Sequence, residues 1–189
     1  MPNYKHSYDW FLNSELKSKL FAFANPNQTN TLLEIGCFEG LSSVFLADHL
    51  LDHPNSTLTC VDPFLHIDNN DHKQFLNNVE NNFDHNVSVC NNANKITVHK
   101  TTSDAFFENP ANLKTYNFIY IDGCHEPDFI KRDMENCFAV LKEGGIMWMD
   151  DYGGGDGVQI KNMMNAFLKN YDGQYKLIHS GYQLAIRKN

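Results

Sequence analysis

Three aspartates stand directly after two apolar runs of the sequence. Asp122 follows the run Phe118–Ile121, and Asp150 and Asp151 follow the run Ile146–Met149. If these runs are neighbouring parallel strands, the three carboxylates meet at the edge of the sheet where ligands bind. Carboxylates that close repel one another unless a pKa is raised or a cation lies among them, and oxygen ligands suit Mg²⁺, with Ca²⁺ or Mn²⁺ as alternatives. The pattern predicts a metal site of Asp122, Asp150 and Asp151. The plainer alternative is that one aspartate caps a helix and another is solvated.

His125 lies three residues after Asp122, in the same predicted loop. A neutral imidazole beside carboxylates takes up a proton near pH 7, which suits a general base. We therefore expect His125 and Asp122 to be catalytic residues. The neighbouring Cys124 raises the options of a cysteine–histidine nucleophile and of a zinc site. Both are disfavoured, because adjacent loop side chains usually point apart and the sequence has no paired-cysteine framework.

A glycine turn follows the first apolar run, in the sequence EIGCFEGLSS of Glu34–Ser43. Gly36 and Gly40 allow a tight turn and the close approach of a ligand to the next helix. Phe38 stands where a dinucleotide-binding fingerprint has its second glycine, which disfavours a nicotinamide cofactor. Asp62 ends the next run, 22 residues after Gly40, where a carboxylate can accept the hydroxyls of a ribose. The alternative is an ordinary strand-to-helix turn, with Asp62 leading into a loop.

Polar side chains also follow the third strand-like run, at Thr102, Ser103 and Asp104. We expect Ser103 to contact the adenine of a bound nucleoside, although Ser103 or Asp104 would equally serve as the N-cap of the following helix. Asp122 is expected to contact the same ligand as well as the metal. In the last crossover helix, Lys131, Arg132 and Asp133 are interpreted as a solvated face.

The elements that position these residues alternate between strand-like and helical patterns. Five short apolar runs are strand-like: Thr31–Cys37, Thr57–Val61, Ile96–His99, Phe118–Ile121 and Ile146–Met149. Five segments have helical spacing: Leu41–Leu51, Asp71–Phe83, Ser103–Asn112, Pro127–Leu141 and Val158–Tyr171. Strands separated by such helices form right-handed crossovers and a mostly parallel sheet.

Two further patterns flank this alternation. A helix is predicted at about Tyr8–Phe23, and two final runs, Tyr175–His179 and Tyr182–Arg187, are joined by so short a link that they predict an antiparallel hairpin. We therefore predict a doubly wound α/β fold: a Rossmann-like, mostly parallel seven-stranded sheet with a C-terminal antiparallel hairpin. It forms one domain over residues 1–189, with a helical extension over residues 1–30.

The composition limits the partners. The 15 Lys and Arg against 23 Asp and Glu give a net charge of −8, and an acidic chain lacks the basic surface that nucleic acids and anionic membranes require. No run approaches the about 18 apolar residues of a membrane span, and the N-terminus has no signal-peptide core. Five scattered cysteines without a CxxC pair predict reduced thiols and a cytoplasmic location. The oligomeric state stays open, with a homodimer as one option.

Taken together, the motifs resemble those of class I S-adenosylmethionine-dependent methyltransferases. The resemblance rests on three segments in order, Leu33–Ser43 (LEIGCFEGLSS), Ile121–His125 (IDGCH) and Leu141–Tyr152 (LKEGGIMWMDDY), and covers the chain from about residue 30 to its end. Within that superfamily the segments are most similar to a small-molecule O-methyltransferase branch. Sugar and aminocoumarin O-methyltransferases belong to this branch, and catechol O-methyltransferase is a more distant relative.

The resemblance implies roles for individual residues. The methionine end of the cofactor would be lined by Glu34, Gly36, Gly40 and Ser42, and Asp62 would hold the ribose. Asp122, Asp150 and Asp151 match the metal-binding acids of the metal-dependent members. His125 occupies the place of a catalytic lysine in the catechol enzyme, whereas Cys124 replaces an aspartate common in the closer relatives.

The sequence thus predicts methyl transfer from S-adenosylmethionine to a hydroxyl group of a small molecule, with the help of a divalent metal such as Mg²⁺. Two alternatives are kept. The first is a catalytically inactive binding or scaffold protein that retains the cofactor pocket, an interpretation supported by Cys124. The second is a nicotinamide-dependent oxidoreductase.

Overall fold

The computed structural model describes residues 3–64, 78–154 and 157–189. Its strands are β1 (Thr31–Ile35), β2 (Thr57–Val61), β3 (Ile96–His99), β4 (Tyr116–Ile121), β5 (Leu141–Met149), β6 (Tyr175–Ser180) and β7 (Leu184–Lys188). Its helices are α1 (Glu15–Phe23), α2 (Leu41–Leu50), α3 (Val79–Val89), α4 (Ser103–Glu108), α5 (Pro127–Val140) and α6 (Gly157–Asn170). Short 3₁₀ helices cover Trp10–Asn13, Ala93–Lys95 and Pro110–Asn112.

The strands form one seven-stranded sheet in the order β3-β2-β1-β4-β5-β7-β6. Strands β1 to β5 are parallel to one another, and β7 is antiparallel to both β5 and β6. The strand order reverses after β3, so that β4 lies on the other side of β1, and this switch point is where such sheets bind ligands. The predicted doubly wound α/β fold with a C-terminal antiparallel hairpin is confirmed.

Alternate side chains of the central strands enter two cores, one on each face of the sheet. Leu33 of β1 and Ile119 of β4 pack with residues of α4, α5 and α6. Leu32 and Phe118, their sequence neighbours, pack on the other face with residues of α1, α2 and α3. Burial on both faces makes the strands nearly continuous apolar runs, which is why the sequence marks them clearly.

The parallel strands end at one level. Ile35 pairs with both Val61 and Ile121, and Ile121 pairs with Met149. The next residue of each strand therefore lies at the same edge of the sheet: Gly36, Asp62, Asp122 and Asp150. This register brings the glycine turn and the predicted acids together.

Some element boundaries differ from prediction. The predicted helix over 8–23 is a 3₁₀ turn followed by α1, separated at Ser14, whose ψ of 132° is not helical. The helix predicted over Ser103–Asn112 ends at Glu108, because Pro110 cannot donate the backbone hydrogen bond that would continue it.

Two other boundaries differ as well. Helix α3 continues six residues past the predicted end at Phe83, while positions 71–77 of that predicted helix lie outside the described residues. Strand β5 begins at Leu141, five residues before the predicted start. Among the described residues, no helix is long and apolar enough to cross a membrane.

Candidate active site

A cavity of about 960 Å³ opens at the carboxyl edge of the sheet. Its wall includes residues that follow four strands, namely Gly36, Asp62, Asp122 and Asp150. The N-terminal segment closes one side with Trp10. The cavity is therefore the place where the residues predicted from the sequence meet.

The glycine turn is folded tightly onto the end of β4. Gly36 has a φ of 81°, and a Cβ atom on it would lie 1.9 Å from the backbone carbonyl oxygen of Asp122. Gly40 also has a φ of 81°, and a Cβ there would lie 2.8 Å from the ring of Phe83. Only glycine tolerates both the conformation and the contact at these positions. The turn thus carries the chain into α2 while its first residue touches β4.

Asp62 fixes the turn from the neighbouring strand. Its Oδ2 accepts the backbone N–H groups of Cys37 at 2.7 Å and Phe38 at 3.0 Å, and its Oδ1 accepts that of Phe64 at 2.7 Å. Because a carboxylate has about four acceptor positions, about one remains for a ligand in the cavity. The contact of Asp62 with the hydroxyls of a ribose stays a prediction, with about one acceptor position left for it.

Glu34 lies behind the cavity wall and was predicted to line it. It is fully buried, and its carboxyl group accepts the hydroxyls of Ser42 and Ser43, each at 2.5 Å. Burial raises the pKa of Glu34 to about 7, an effect that the two hydroxyls reduce. Ser42 and Gly40 are also buried, so that of the four residues expected at the methionine end, Gly36 alone lines the cavity.

The carboxylate of Asp150 is occupied by protein donors. Its Oδ2 accepts the hydroxyl of Tyr120 at 2.5 Å and the amide of Gln183 at 2.8 Å, and its Oδ1 accepts the backbone N–H of Asp151 at 2.8 Å. Burial raises the pKa of Asp150, whereas these donors lower it. Asp150 is thus held in the framework of the site by three donors, and its role as a metal ligand stays a prediction.

His125 lies close to two of the three aspartates predicted as metal ligands. Ligand atoms of Asp122, His125 and Asp151 lie within 4.8 Å of one another. His125 Nε2 lies 2.9 Å from Asp151 Oδ2, and the hydroxyl of Tyr182 donates to Asp151 Oδ1 at 2.7 Å. We name Asp122, His125 and Asp151 the acid–histidine cluster.

The charges of the acid–histidine cluster adjust to one another. The hydrogen bond to Asp151 raises the pKa of His125, and the same bond lowers the pKa of Asp151. Loss of solvation at the end of β4 raises the pKa of Asp122 well above its usual range although the side chain keeps exposed surface, and the carboxylates of Asp150 and Asp151 add to the effect. The cluster can hold a proton, a divalent cation or a cationic group of a ligand.

Gln183, which the sequence did not single out, connects this site to distant parts of the chain. It is fully buried, and its Oε1 accepts the indole N–H of Trp148 at 2.8 Å and the backbone N–H of Leu16 at 2.7 Å, while its Nε2 donates to Asp150. These partners lie in β5 and at the start of α1. The spacing of residues in the sequence does not indicate such a residue, because its hydrogen bonds span up to 169 positions.

Ser103 lines the cavity, and its contact with the adenine of a nucleoside stays a prediction. The N-cap of α4 is Thr102, whose hydroxyl accepts the N–H of Ala105 at 3.3 Å, so Ser103 is not spent on capping. Asp104 pairs instead with Arg132. The prediction that Asp133 belongs to a solvated face is wrong, since this residue is 2% exposed.

Asp133 could have been found by helical spacing. In α5 the buried positions are Ile130, Asp133, Met134, Cys137 and Phe138, which form one stripe along the helix. Helical spacing therefore places Asp133 on the buried side of α5, although the hydropathy of an aspartate predicts exposure to solvent.

An aromatic stack stands at the mouth of the cavity. The ring of Trp10 stacks on Phe38 at 4.8 Å between centroids and on Tyr8 at 5.1 Å. Trp10 is nevertheless 69% exposed, which leaves much of its surface available to a ligand.

Comparison with known proteins gives a family and a fold. The sequence profile of the family described as "Methyltransferase domain" matches residues 33–152. A search of curated proteins finds no significant match. The three structures below are between 14% and 16% identical to this chain, so their likeness concerns the fold.

A protein of Clostridium thermocellum with a provisional assignment as an rRNA methylase has a TM-score of 0.67 at 16% identity, covering 91% of this chain and 92% of its own. The O-methyltransferase TomG of Streptomyces achromogenes, involved in tomaymycin synthesis and solved with S-adenosylmethionine, has a TM-score of 0.62 at 16% identity, covering 85% and 73%. An O-methyltransferase of Bacillus cereus, solved with S-adenosylhomocysteine, has a TM-score of 0.61 at 14% identity, covering 84% and 74%.

The contact between the glycine turn and β4 generates a stability prediction. Gly36→Ala should lower the free energy of unfolding by about 3 kcal/mol or more, because it combines a left-handed conformation with a backbone overlap. Gly144→Ala is the matched control, since Gly144 has a φ of 73° and a Cβ added there would meet no atom within 4 Å. Urea denaturation measures both. Equal losses in the two variants would contradict the proposed overlap with Asp122.

The buried Glu34 generates a pH prediction. Its pKa is raised from 4.5 to about 7 in the folded protein, so its contribution to stability is fully present below about pH 4.5 and is lost as the pH rises through about 7. Glu34→Gln lacks this loss. The stability of the variant relative to wild type should therefore increase with pH between about 5 and 7, by up to about 1 kcal/mol per pH unit.

Urea denaturation at several pH values measures the effect of Glu34→Gln. The exposed Glu143→Gln is the control and should show no such trend. A constant difference between Glu34→Gln and wild type across this range would show that Glu34 does not titrate there.

Proposed function

The chain belongs to the methyltransferase domain family, and from this premise we propose that it transfers the methyl group of S-adenosylmethionine to a hydroxyl group of a small molecule. The family membership, together with the fold, confirms the recognition of the sequence as a methyltransferase of class I. The proposal has three parts: S-adenosylmethionine as the methyl donor, a hydroxyl group as the acceptor, and a divalent metal.

The observation that carries the proposal is the contact between the glycine turn and Asp122, a member of the acid–histidine cluster. Asp122 N–H donates to the carbonyl of Ile35 at 2.8 Å, and the Asp122 carbonyl lies against Gly36. The same residue therefore borders the glycine turn with its backbone and the cluster with its carboxylate. A donor on the turn and an acceptor at the cluster would be neighbours, which converts a rare encounter into a positioned displacement.

The charge of the cavity favours a cationic donor. Seven acidic residues line it: Asp9, Asp62, Asp122, Glu126, Asp133, Asp150 and Asp151. Among the residues that the structure describes, no Lys or Arg lines it. Such a surface attracts the sulfonium of S-adenosylmethionine more than the neutral thioether of the product, and it disfavours a polyanionic acceptor such as nucleic acid.

The acid–histidine cluster fits a divalent cation by its donor set. Two carboxylates and an imidazole suit Mn²⁺ or a related ion, and they suit Mg²⁺ less well because Mg²⁺ prefers oxygen alone. Asp122, His125 and Asp151 would hold the ion. When bound, it would lower the pKa of the acceptor hydroxyl and orient its oxygen.

The protein's own groups supply proton transfer and positioning. In the state without an ion, Nε2 of His125 is bonded to Asp151 and Nδ1 is free to take the hydroxyl proton, while the Asp151 carboxylate stabilises the imidazolium that forms. A histidine that coordinates an ion through one ring nitrogen cannot act as this base, so the two roles of His125 are alternatives. Tyr182 holds the other oxygen of Asp151, which keeps the carboxylate facing the histidine. Trp10 offers an apolar face on which a ring-shaped acceptor can stack.

The two alternatives are less favoured. An oxidoreductase does not follow from membership of a methyltransferase family, and Phe38 fills the position where a pyrophosphate needs glycine. An inactive cofactor-binding protein would need the glycine turn but not the His125–Asp151 pair. The presence of that pair therefore favours an enzyme.

Methyl transfer is tested with the purified protein, S-adenosylmethionine and a panel of sugars, phenols and other small alcohols. We expect S-adenosylhomocysteine to form with at least one acceptor. His125→Ala should slow the reaction by about 100-fold or more, as expected for loss of a general base. Binding of S-adenosylmethionine in calorimetry without turnover on any acceptor would favour the inactive binder.

The metal is tested separately, by Mn²⁺ titration followed by electron paramagnetic resonance. Asp122→Asn and Asp151→Asn should each weaken Mn²⁺ binding by about 10-fold or more, because each removes a charged ligand. Asp128→Asn, at an exposed position of α5, should bind Mn²⁺ like wild type. Wild-type affinity in the two cluster variants, or full turnover with EDTA present, would exclude the metal role.

A further inference from the structure

Asp133 is a buried carboxyl group with an unpaired oxygen. It is 2% exposed, and within the part of the chain that the structure describes its Oδ1 accepts no hydrogen bond. Burial raises the pKa of Asp133 to about 6. Buried polar atoms are nearly always paired, so an unpaired carboxyl oxygen needs an explanation.

The nearest cation does not supply one. Arg132 is the neighbour of Asp133 in α5, but its Nε and Nη2 donate to the two oxygens of Asp104, each at 2.9 Å. These two bonds commit the guanidinium to Asp104, so Arg132 acts on Asp133 through its charge alone, which lowers the pKa of that carboxyl. A hydrogen-bond donor for Asp133 Oδ1 would therefore have to come from a ligand in the cavity.

Asp133 lies on the wall of that cavity, beside the loop that follows β4. Its Oδ2 is 3.3 Å from the position that a Cβ on Gly123 would occupy, and Ser103 is its polar neighbour from α4. The other unpaired buried side-chain atom among the described residues, the hydroxyl of Tyr116, does not line the cavity. Of the two, Asp133 alone can meet a ligand.

The position within the sheet indicates which part of a nucleoside it would meet. Gly36 follows β1, Asp62 follows β2, and Thr102 and Ser103 follow β3. A cofactor with its methionine end at Gly36 and its ribose at Asp62 carries its base onward, to the side of Ser103. The wall here includes Phe64, Val79 and Phe129, which are suited to the faces of a planar ring.

We propose that Asp133 recognises adenine by accepting a hydrogen bond from its exocyclic amino group. The proposal rests on the proposed use of S-adenosylmethionine and extends it by assigning base selectivity to a residue of α5. A carboxylate accepts hydrogen bonds and donates none. It therefore binds a 6-amino purine and repels a 6-oxo purine, whose oxygen would face it.

The test compares S-adenosylhomocysteine with S-inosylhomocysteine, which carries an oxygen in place of the 6-amino group. Calorimetry is done at pH 8, where the Asp133 carboxyl is ionised. Wild type should bind the inosyl compound about 10- to 100-fold more weakly, the range expected for a hydrogen bond to a charged group.

Asp133→Asn should reduce this preference at least about 10-fold, because the amide can accept from the amino group or donate to the oxygen. Asp133→Ser is a second variant in case the first folds poorly, and it should also reduce the preference. Asp128→Asn, on the exposed face of the same helix, is the control and should keep the wild-type ratio. A thermal melt without ligand separates changes in stability from changes in selectivity.

The outcomes distinguish the two hypotheses. If wild type binds neither compound, the proposed cofactor is wrong. If wild type binds S-adenosylhomocysteine but discriminates less than about threefold, or if both Asp133 variants keep the full preference, the cofactor stands and the role of Asp133 is overturned.

Discussion

The level ending of four parallel strands is the constraint on which the rest of the site depends. Because β2, β1, β4 and β5 stop in register, whatever follows them is gathered at one edge. Here that means a glycine followed by three carboxylates, Gly36, Asp62, Asp122 and Asp150, with Asp151 next to the last. Crowded acids in a partly buried place are unfavourable unless each finds donors or a cation. The surrounding structure supplies donors to most of them.

The donors come from the two ends of the chain as well as from the sheet. Gln183, at the C-terminal hairpin, donates to Asp150 and accepts from the backbone of Leu16. Glu15, at the start of α1, accepts the backbone N–H of Gln183 at 2.7 Å and lies 2.9 Å from His179 Nε2. Hydrogen bonds through Gln183 therefore connect α1 and the C-terminal hairpin next to the carboxylate of Asp150. A change in how α1 docks would reach the site through Gln183.

Sequence reasoning located the site because its information is local. An apolar run that ends in an acid marks both a strand and the residue at its carboxyl end, so Asp62, Asp122 and Asp150 were placed at one edge. The roles within the site depend on side-chain partners from distant parts of the chain. Tyr120 and Gln183 occupy Asp150 and leave His125 to join Asp122 and Asp151. Neither hydrogen bond is visible in the spacing of residues.

The helix ends and the glycine turn likewise separate features that local sequence predicts from features that depend on distant contacts. Pro110 explains locally why α4 stops early, and inspection of the sequence can anticipate such a stop. The burial of Glu34 and Ser42 and the packing of Gly36 against Asp122 depend instead on how separate elements pack together, which the spacing of residues does not show. Asp133 combines both cases. Its place on the buried stripe of α5 could be predicted from helical spacing, whereas its unpaired oxygen could not.

The acids of the site differ chiefly in which donors reach them, and this difference separates carboxylates held by protein donors from those with acceptor capacity left. Glu34 is satisfied by two hydroxyls, Asp62 largely by backbone N–H groups, and Asp150 by a phenol, an amide and a backbone N–H. Groups satisfied in this way are held in one position and have little capacity left for a ligand. Asp122 and Asp133 have fewer protein partners and face the cavity. The free acceptor capacity of the site is thus concentrated on two carboxyl groups of the cavity wall, and part of the chain's excess negative charge lies there.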